Sequence, residues 1–129
     1  MGDLIGKKIF DDTFNLLQRS LGLRVFRQKV LASNIANAET PGFEPQDVPF
    51  EKILSRSLEK GGEVVLAKTH PSHLENGEGA RHPLERVAEA FEIDREMAKL
   101  AENNLRFHAD VQALVKRLES LRLAITEGR

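Results

Sequence analysis

The chain contains no cysteine, no tryptophan and no tyrosine. Without cysteine there is neither a disulfide framework nor a thiolate metal site. Such a chain suits a reducing compartment, or passage across a membrane unfolded and uncrosslinked. Phenylalanine supplies all seven aromatic side chains, which is little aromatic volume for a wide globular core. No apolar run approaches the ~20 residues of a membrane-spanning helix. The opening MGDLIGKKIFDD holds neither a long apolar core nor a small-residue cleavage site, so a Sec-type signal peptide is not expected. Formal net charge is -1 over 129 residues, and no strong field draws the chain to nucleic acid. The length allows one ordinary domain.

What is present is mostly Leu, Val, Ile and Ala at helical spacing. Phe10, Phe14, Leu17 and Leu21 step by four, three and four, which places them on one helix face. Asp11 and Asp12 fall in an early turn, where acids suit the positive end of the helix dipole. Gly22 is a weak point, about 1 kcal/mol worse than alanine in a helix interior. Beyond it, Leu23, Val25, Phe26, Val30, Leu31 and Ile35 cover more than one narrow seam, as in a helix with neighbours on several sides. That helix runs into Asn34, Asn37, Thr40, Pro41 and Gly42. Proline disfavours helix at the residue before it, and glycine then permits a turn.

Every proline and most of the glycines fall between residues 39 and 83. Residues 44–50 read as extended and irregular, and Phe50 to Leu58 as a short helix or turn. Glu63 to Ala67, with its β-branched pair between turn signals, reads as a strand. From 84 to 127 the helical signal is strongest. Met97, Leu100, Asn104, Phe107, Val111, Leu114, Leu118, Leu121 and Ile125 keep steps of three and four. That sustained seven-residue repeat is the signature of a coiled-coil seam. Asn104 is its one polar member, a residue type that fixes register at some cost in stability.

The expected fold is therefore mainly α: two long terminal helices pairing as an elongated coiled-coil hairpin, with a loosely structured middle section containing a little β. The divisions fall at 1–40, 41–83 and 84–129. A helix from 84 to 126 is about 65 Å long, whereas a compact domain of this size has a radius of gyration near 14 Å. Two such rods share one seam and leave apolar surface, such as Ala101 and Val115, for partners.

Candidate chemistry is thin. His70-x-x-His73 with His82 has metal-ligand types, but Pro71 breaks a helical pair and no acidic or Cys ligand completes the set. No nucleophile elbow, P-loop or dinucleotide fingerprint is present, so no catalytic, cofactor-binding or metal residue is assigned, and no cofactor is expected. Asn34 and Asn37 lack an accompanying nucleophile or base, and suit helix-terminal hydrogen bonding. Arg24, Arg27 and Lys29 form a small basic patch, suited to solvent or to ion pairing between subunits.

Leu31 to Phe43, LASNIANAETPGF, resembles the N-terminal signature of flagellar axial proteins of the rod and hook class. Followed by Asp47-Val48-Pro49-Phe50-Glu51, it is similar to the proximal rod family of that class; rod siblings tend to read NLAN with a different continuation. Leu66 to Leu74 and Glu96 to Asn103, with Phe107 and the tail to Ile125, resemble that family's middle region and C-terminal helix. The sequence departs from the family at Pro83 to Ile93, PLERVAEAFEI. There it argues against a β-hairpin and for an earlier helix start. A second departure is Phe107, where the family often has Tyr.

The resemblance implies a structural, non-enzymatic subunit of the basal-body rod that transmits motor torque. It implies an assembly motif at Asn34, Ile35, Ala36, Asn37, Thr40, Pro41, Gly42 and Phe43, with the seam above packing in the inner tube. The implied partners are copies of itself, other flagellar rod proteins, the rod-to-membrane-ring adaptor and the export apparatus, with no nucleic acid and no small-molecule substrate. Export through the flagellar type III pathway, without a cleaved signal peptide, places it in the periplasmic rod. The alternatives are a sibling rod protein of the same class, or a soluble coiled-coil adaptor or chaperone unrelated to flagella. An adaptor of that kind forms a stable, highly helical dimer; a rod subunit alone has frayed ends.

Overall fold

The computed structural model describes residues 2–59, 84–87 and 90–128. Its elements are α1 (Gly2–Ala36), β1 (Gln46–Asp47), α2 (Phe50–Glu59), β2 (Glu85–Arg86) and α3 (Ile93–Glu127). The two long helices pack against each other, with a little β between them in sequence. They run antiparallel: Thr13 meets Arg117, Ser20 meets Asp110, and Asn34 meets Glu96. Each has 35 residues and is therefore about 52 Å long.

α1 runs through Gly22 without a break. Its remaining backbone hydrogen bonds and its packing on α3 exceed the local entropic penalty of one glycine. The helix then stops where the stop signals cluster. Asn37 N–H still reaches back to the Ser33 carbonyl at 3.0 Å, and Phe43 N–H closes a turn onto the Thr40 carbonyl at 3.2 Å. Gly42 has φ 78. Proline at the second position and a positive-φ glycine at the third make this a type II turn.

The chain leaves the corner extended. β1 pairs antiparallel with β2, Gln46 opposite Arg86 and Asp47 opposite Glu85, and Val87 N–H extends the ladder to the Pro45 carbonyl at 3.1 Å. This corrects the expected helix start at 84. Residues 85–86 form a strand, and α3 begins at Ile93 after an extended Glu92. Local helix propensity in LERVAEAF yields to pairing with the strand from the corner. Two ion pairs flank that ribbon, Lys52 to Glu85 at 2.8 Å and Arg86 to Glu44 at 3.1 Å. The strand expected at Glu63 to Ala67 lies outside the described residues, as do His70, His73 and His82.

Among the described residues the buried apolar side chains are Leu23, Leu31 and Val48. The buried polar ones are more numerous: Ser20, Arg24, Asn34, Glu96 and Asn103. Among the described residues no helix is long and apolar enough to cross a membrane.

Candidate assembly site at the corner and the helix pair

The last turns of α1 carry Asn34, which is 1% exposed. Its carboxamide acts as a short piece of strand. Nδ2 donates to the Gln46 carbonyl at 2.6 Å, and Gln46 N–H donates to Oδ1 at 3.2 Å. Nδ2 also donates to Glu96 Oε2 at 3.0 Å. One side chain thus joins the end of α1, the outgoing strand and the start of α3. Buried polar groups require such partners, because an unpaired one costs about 1–3 kcal/mol. Asn37 does the capping work nearby, donating to the Ser33 carbonyl at 2.9 Å. Thr40, Pro41 and Gly42 are exposed at the turn, with Ala36 exposed just before them and Ile35 and Phe43 partly covered. The motif is therefore split between one anchoring residue and an outward tip.

Below the corner, charges are paired within the chain. Asp47 takes two hydrogen bonds from Arg27, at 2.9 and 3.0 Å. These bonds hold the Arg27 guanidinium above its ordinary pKa, against the opposing effect of burial. A raised arginine pKa keeps this contribution fully present below the guanidinium's own range, so it does not titrate near neutral pH. Glu96 accepts from Lys99 at 2.9 Å. Arg24 donates from Nε to Asp110 at 2.8 Å, and its guanidinium lies 4.1 Å from the centre of the Phe50 ring, a cation–π geometry. Ser20 Oγ donates to the same Asp110 oxygen at 2.5 Å. Asn103 Nδ2 donates to the Arg24 carbonyl and to Gln28 Oε1, both at 3.0 Å. The basic patch of Arg24, Arg27 and Lys29 is thus largely consumed by carboxylates of the same chain; Lys29 is exposed.

An open cleft of about 390 Å³ lies beside this network, lined by Arg24, Phe50, Lys52, Glu85 and Arg106 among others. Its cations are matched: Lys52 pairs with Glu85, and Arg106 with Glu102 at 2.7 Å. Among the described residues, no group of His, Asp or Glu side chains is arranged to hold a metal. The arrangement braces three elements against one another, and no Ser, Thr or Cys is among the residues lining the cleft.

The repeat on α3 divides into columns. Leu100, Phe107, Val111 and Leu114 are partly covered. Met97 is 54% exposed, Leu118 47%, Leu121 39% and Ile125 65%. Asn104, the expected polar member, is exposed; the buried asparagine of the contact is its neighbour Asn103. The face toward α1 runs through Glu96, Asn103, Asp110 and Arg117, one position earlier than Met97, Asn104, Val111 and Leu118. The signal for this face was present: polar residues seven apart on α3, matched by Thr13, Ser20, Arg27 and Asn34 on α1. An apolar repeat conceals it, because hydrophobic pattern is the stronger cue.

Comparison with known proteins meets this geometry at the corner. A family model described as flagella basal body rod protein matches residues 26–43, which span the last turns of α1 and the type II turn. The chain is 30% identical over 132 residues to the flagellar basal body rod protein FlgB of Proteus mirabilis (strain HI4320), covering 92% of this chain and 96% of that one. The proteins of the same name from Yersinia enterocolitica and Salmonella typhimurium are also 30% identical, again over 92% of this chain and 96% of theirs. With a family match across the corner and 30% identity over nearly the full length, the chain belongs to the FlgB family of flagellar basal body rod proteins and is a structural subunit of that rod.

Proposed function

We propose that this subunit enters the rod by packing the apolar column of α3 against helices of neighbouring copies, and that the assembled helices carry motor torque. One observation supports this most directly. Met97, Leu118, Leu121 and Ile125 keep the coiled-coil repeat yet stand exposed on a helix whose adjacent face is already occupied by α1. A heptad column left open in the single chain needs a second helix to cover it. Leu100, Phe107, Val111 and Leu114 form the shared edge between the two faces, and Asn104 is the polar member of the open column.

The corner is the second contact. Asn34 holds it from inside, and Ala36, Thr40, Pro41 and Gly42 present its surface. Ile35, Asn37 and Phe43 lie between. Partners on this reading are further copies of the chain, other rod proteins, the adaptor to the membrane ring and the export apparatus. The site is the periplasmic rod, reached through the flagellar type III pathway without cleavage of a signal peptide. No catalytic role is assigned.

Leu118→Asp tests the reading. The exposed position leaves the isolated chain's circular dichroism unchanged and its melting midpoint within about 2 °C, because surface substitutions usually stay within ±0.5 kcal/mol. Basal bodies in the mutant are expected to stop before the rod, and motility to be lost. Normal rods carrying Asp at 118 would remove the open column from the interface.

A further inference from the structure

We infer that the buried polar contacts between α1 and α3 are a register key. They admit one antiparallel alignment of the two helices and reject its neighbours. The key is internal to one chain and does not depend on what covers the outer face of α3.

The observations are these. Five side chains at the contact are buried and polar, against two buried leucines from the same helices. Apolar contacts are non-directional and tolerate a slip by one heptad, since a leucine then meets another leucine. The polar contacts do not tolerate it. α1 offers donors at Ser20, Arg24 and Asn34, and α3 offers carboxylates at Asp110 and Glu96. Moving α3 one heptad in one direction sets Asp110 opposite Thr13, away from both Ser20 and Arg24. Moving it the other way sets Arg117 beside Ser20 and Arg24, a meeting of like charges. Arg27 comes opposite Glu96 in the first slip and Asp110 in the second, but can pair with either only by giving up its two bonds to Asp47. Either slip breaks the Asn34–Glu96 bond, and with it the joint that carries Gln46.

Asn103 points the same way. Its Oδ1 is buried and has no hydrogen-bond partner, while its Nδ2 makes two bonds to α1. A leucine at this position would remove the orphaned acceptor, so the asparagine is poor for stability alone. A buried asparagine that fixes register at a cost in stability is well attested in coiled coils.

The absence of cysteine permits a clean test in the full chain. Thr13→Cys with Arg117→Cys reports the native register, since Arg117 Nη2 reaches Thr13 Oγ1 at 3.5 Å and a short bis-maleimide takes the place of the arginine's length. Thr13→Cys with Ala124→Cys, and Gly6→Cys with Arg117→Cys, report the two one-heptad slips. With that reagent, the native pair is expected to crosslink at least about tenfold faster than either slipped pair. In a background with Arg24→Leu, Asn103→Leu and Asp110→Leu, that preference is expected to fall to about threefold or less, with crosslinked dimers appearing. An undiminished native preference in the leucine background overturns the proposal.

Should the leucine chain fail to fold, charge exchange decides the matter. Arg24→Asp and Asp110→Arg alone are each expected to slow the native crosslink about tenfold, and the two together to recover most of it. No recovery in the double variant also overturns the key.

Discussion

Toward the corner, α1 and α3 bury Ser20, Leu23, Arg24, Leu31, Asn34, Glu96 and Asn103. Toward the termini the same two helices bury nothing comparable among the described residues. Every residue from Val115 to Gly128 is exposed, and so are Leu4 to Lys8 on α1. The exposed set includes Val115, Leu118, Leu121, Leu123 and Ile125 beside Leu4 and Ile5. The half that is finished within the chain is fastened by polar groups, and the half that is unfinished is apolar. Directional contacts set how one chain folds; on the proposed reading, the non-directional apolar surface is left for association. Stability is then unevenly spread along the hairpin, highest near the corner and lowest at the open end.

The largest effect should come from breaking the fastened half. Arg24→Ala leaves Asp110 with the Ser20 hydroxyl as its remaining partner, removes the cation over Phe50, and is expected to cost about 2 kcal/mol, less than for a fully buried pair that loses one partner. A urea titration followed by circular dichroism measures it; a change below about 1 kcal/mol would mean that the corner half is no better fastened than the ends. Next comes the gradient itself. Amides of residues 98–110 are expected to exchange about 100-fold more slowly than those of residues 116–126 in the isolated chain. Equal protection along α3 in a monomer would dissolve the contrast between the two halves.

The smallest effects concern two glycines of opposite sign. Gly22 lies exposed in mid-helix, and a Cβ there meets nothing within 4 Å. Gly22→Ala should stabilise the isolated chain by about 0.5–1 kcal/mol. Gly42 is equally unobstructed but sits at φ +78, so Gly42→Ala should destabilise by about 1–2 kcal/mol. Melting midpoints that shift in the same direction for both would show that backbone conformation is not what distinguishes the interior of α1 from its corner.

Much of this was legible without coordinates. Helical periodicity announced α1 and α3, because an apolar stripe every three or four residues has few other uses. Thr40-Pro41-Gly42 announced the turn, since proline and glycine constrain backbone directly. Asn34 stood out by position in the motif, although its work as a strand partner for Gln46 did not. The strand at Glu85–Arg86 was read as helix, because its local propensity is helical and its partner lies some 40 residues earlier in the chain. Local pattern carries no record of such a contact.

By itself the sequence determined the elements: two long helices, a hard stop at Pro41-Gly42, and a seven-residue repeat on the second helix. It also carried the family resemblance. Only the tertiary structure decided which column of that repeat faces inward. Adjacent positions on a helix differ by about 100°, and the apolar pattern favoured the line through Met97 and Asn104. Pairing with Ser20, Arg24 and Asn34 turned the line through Glu96, Asn103 and Asp110 toward α1 instead. Buried charges and amides must meet particular partners, whereas apolar side chains accept any cover.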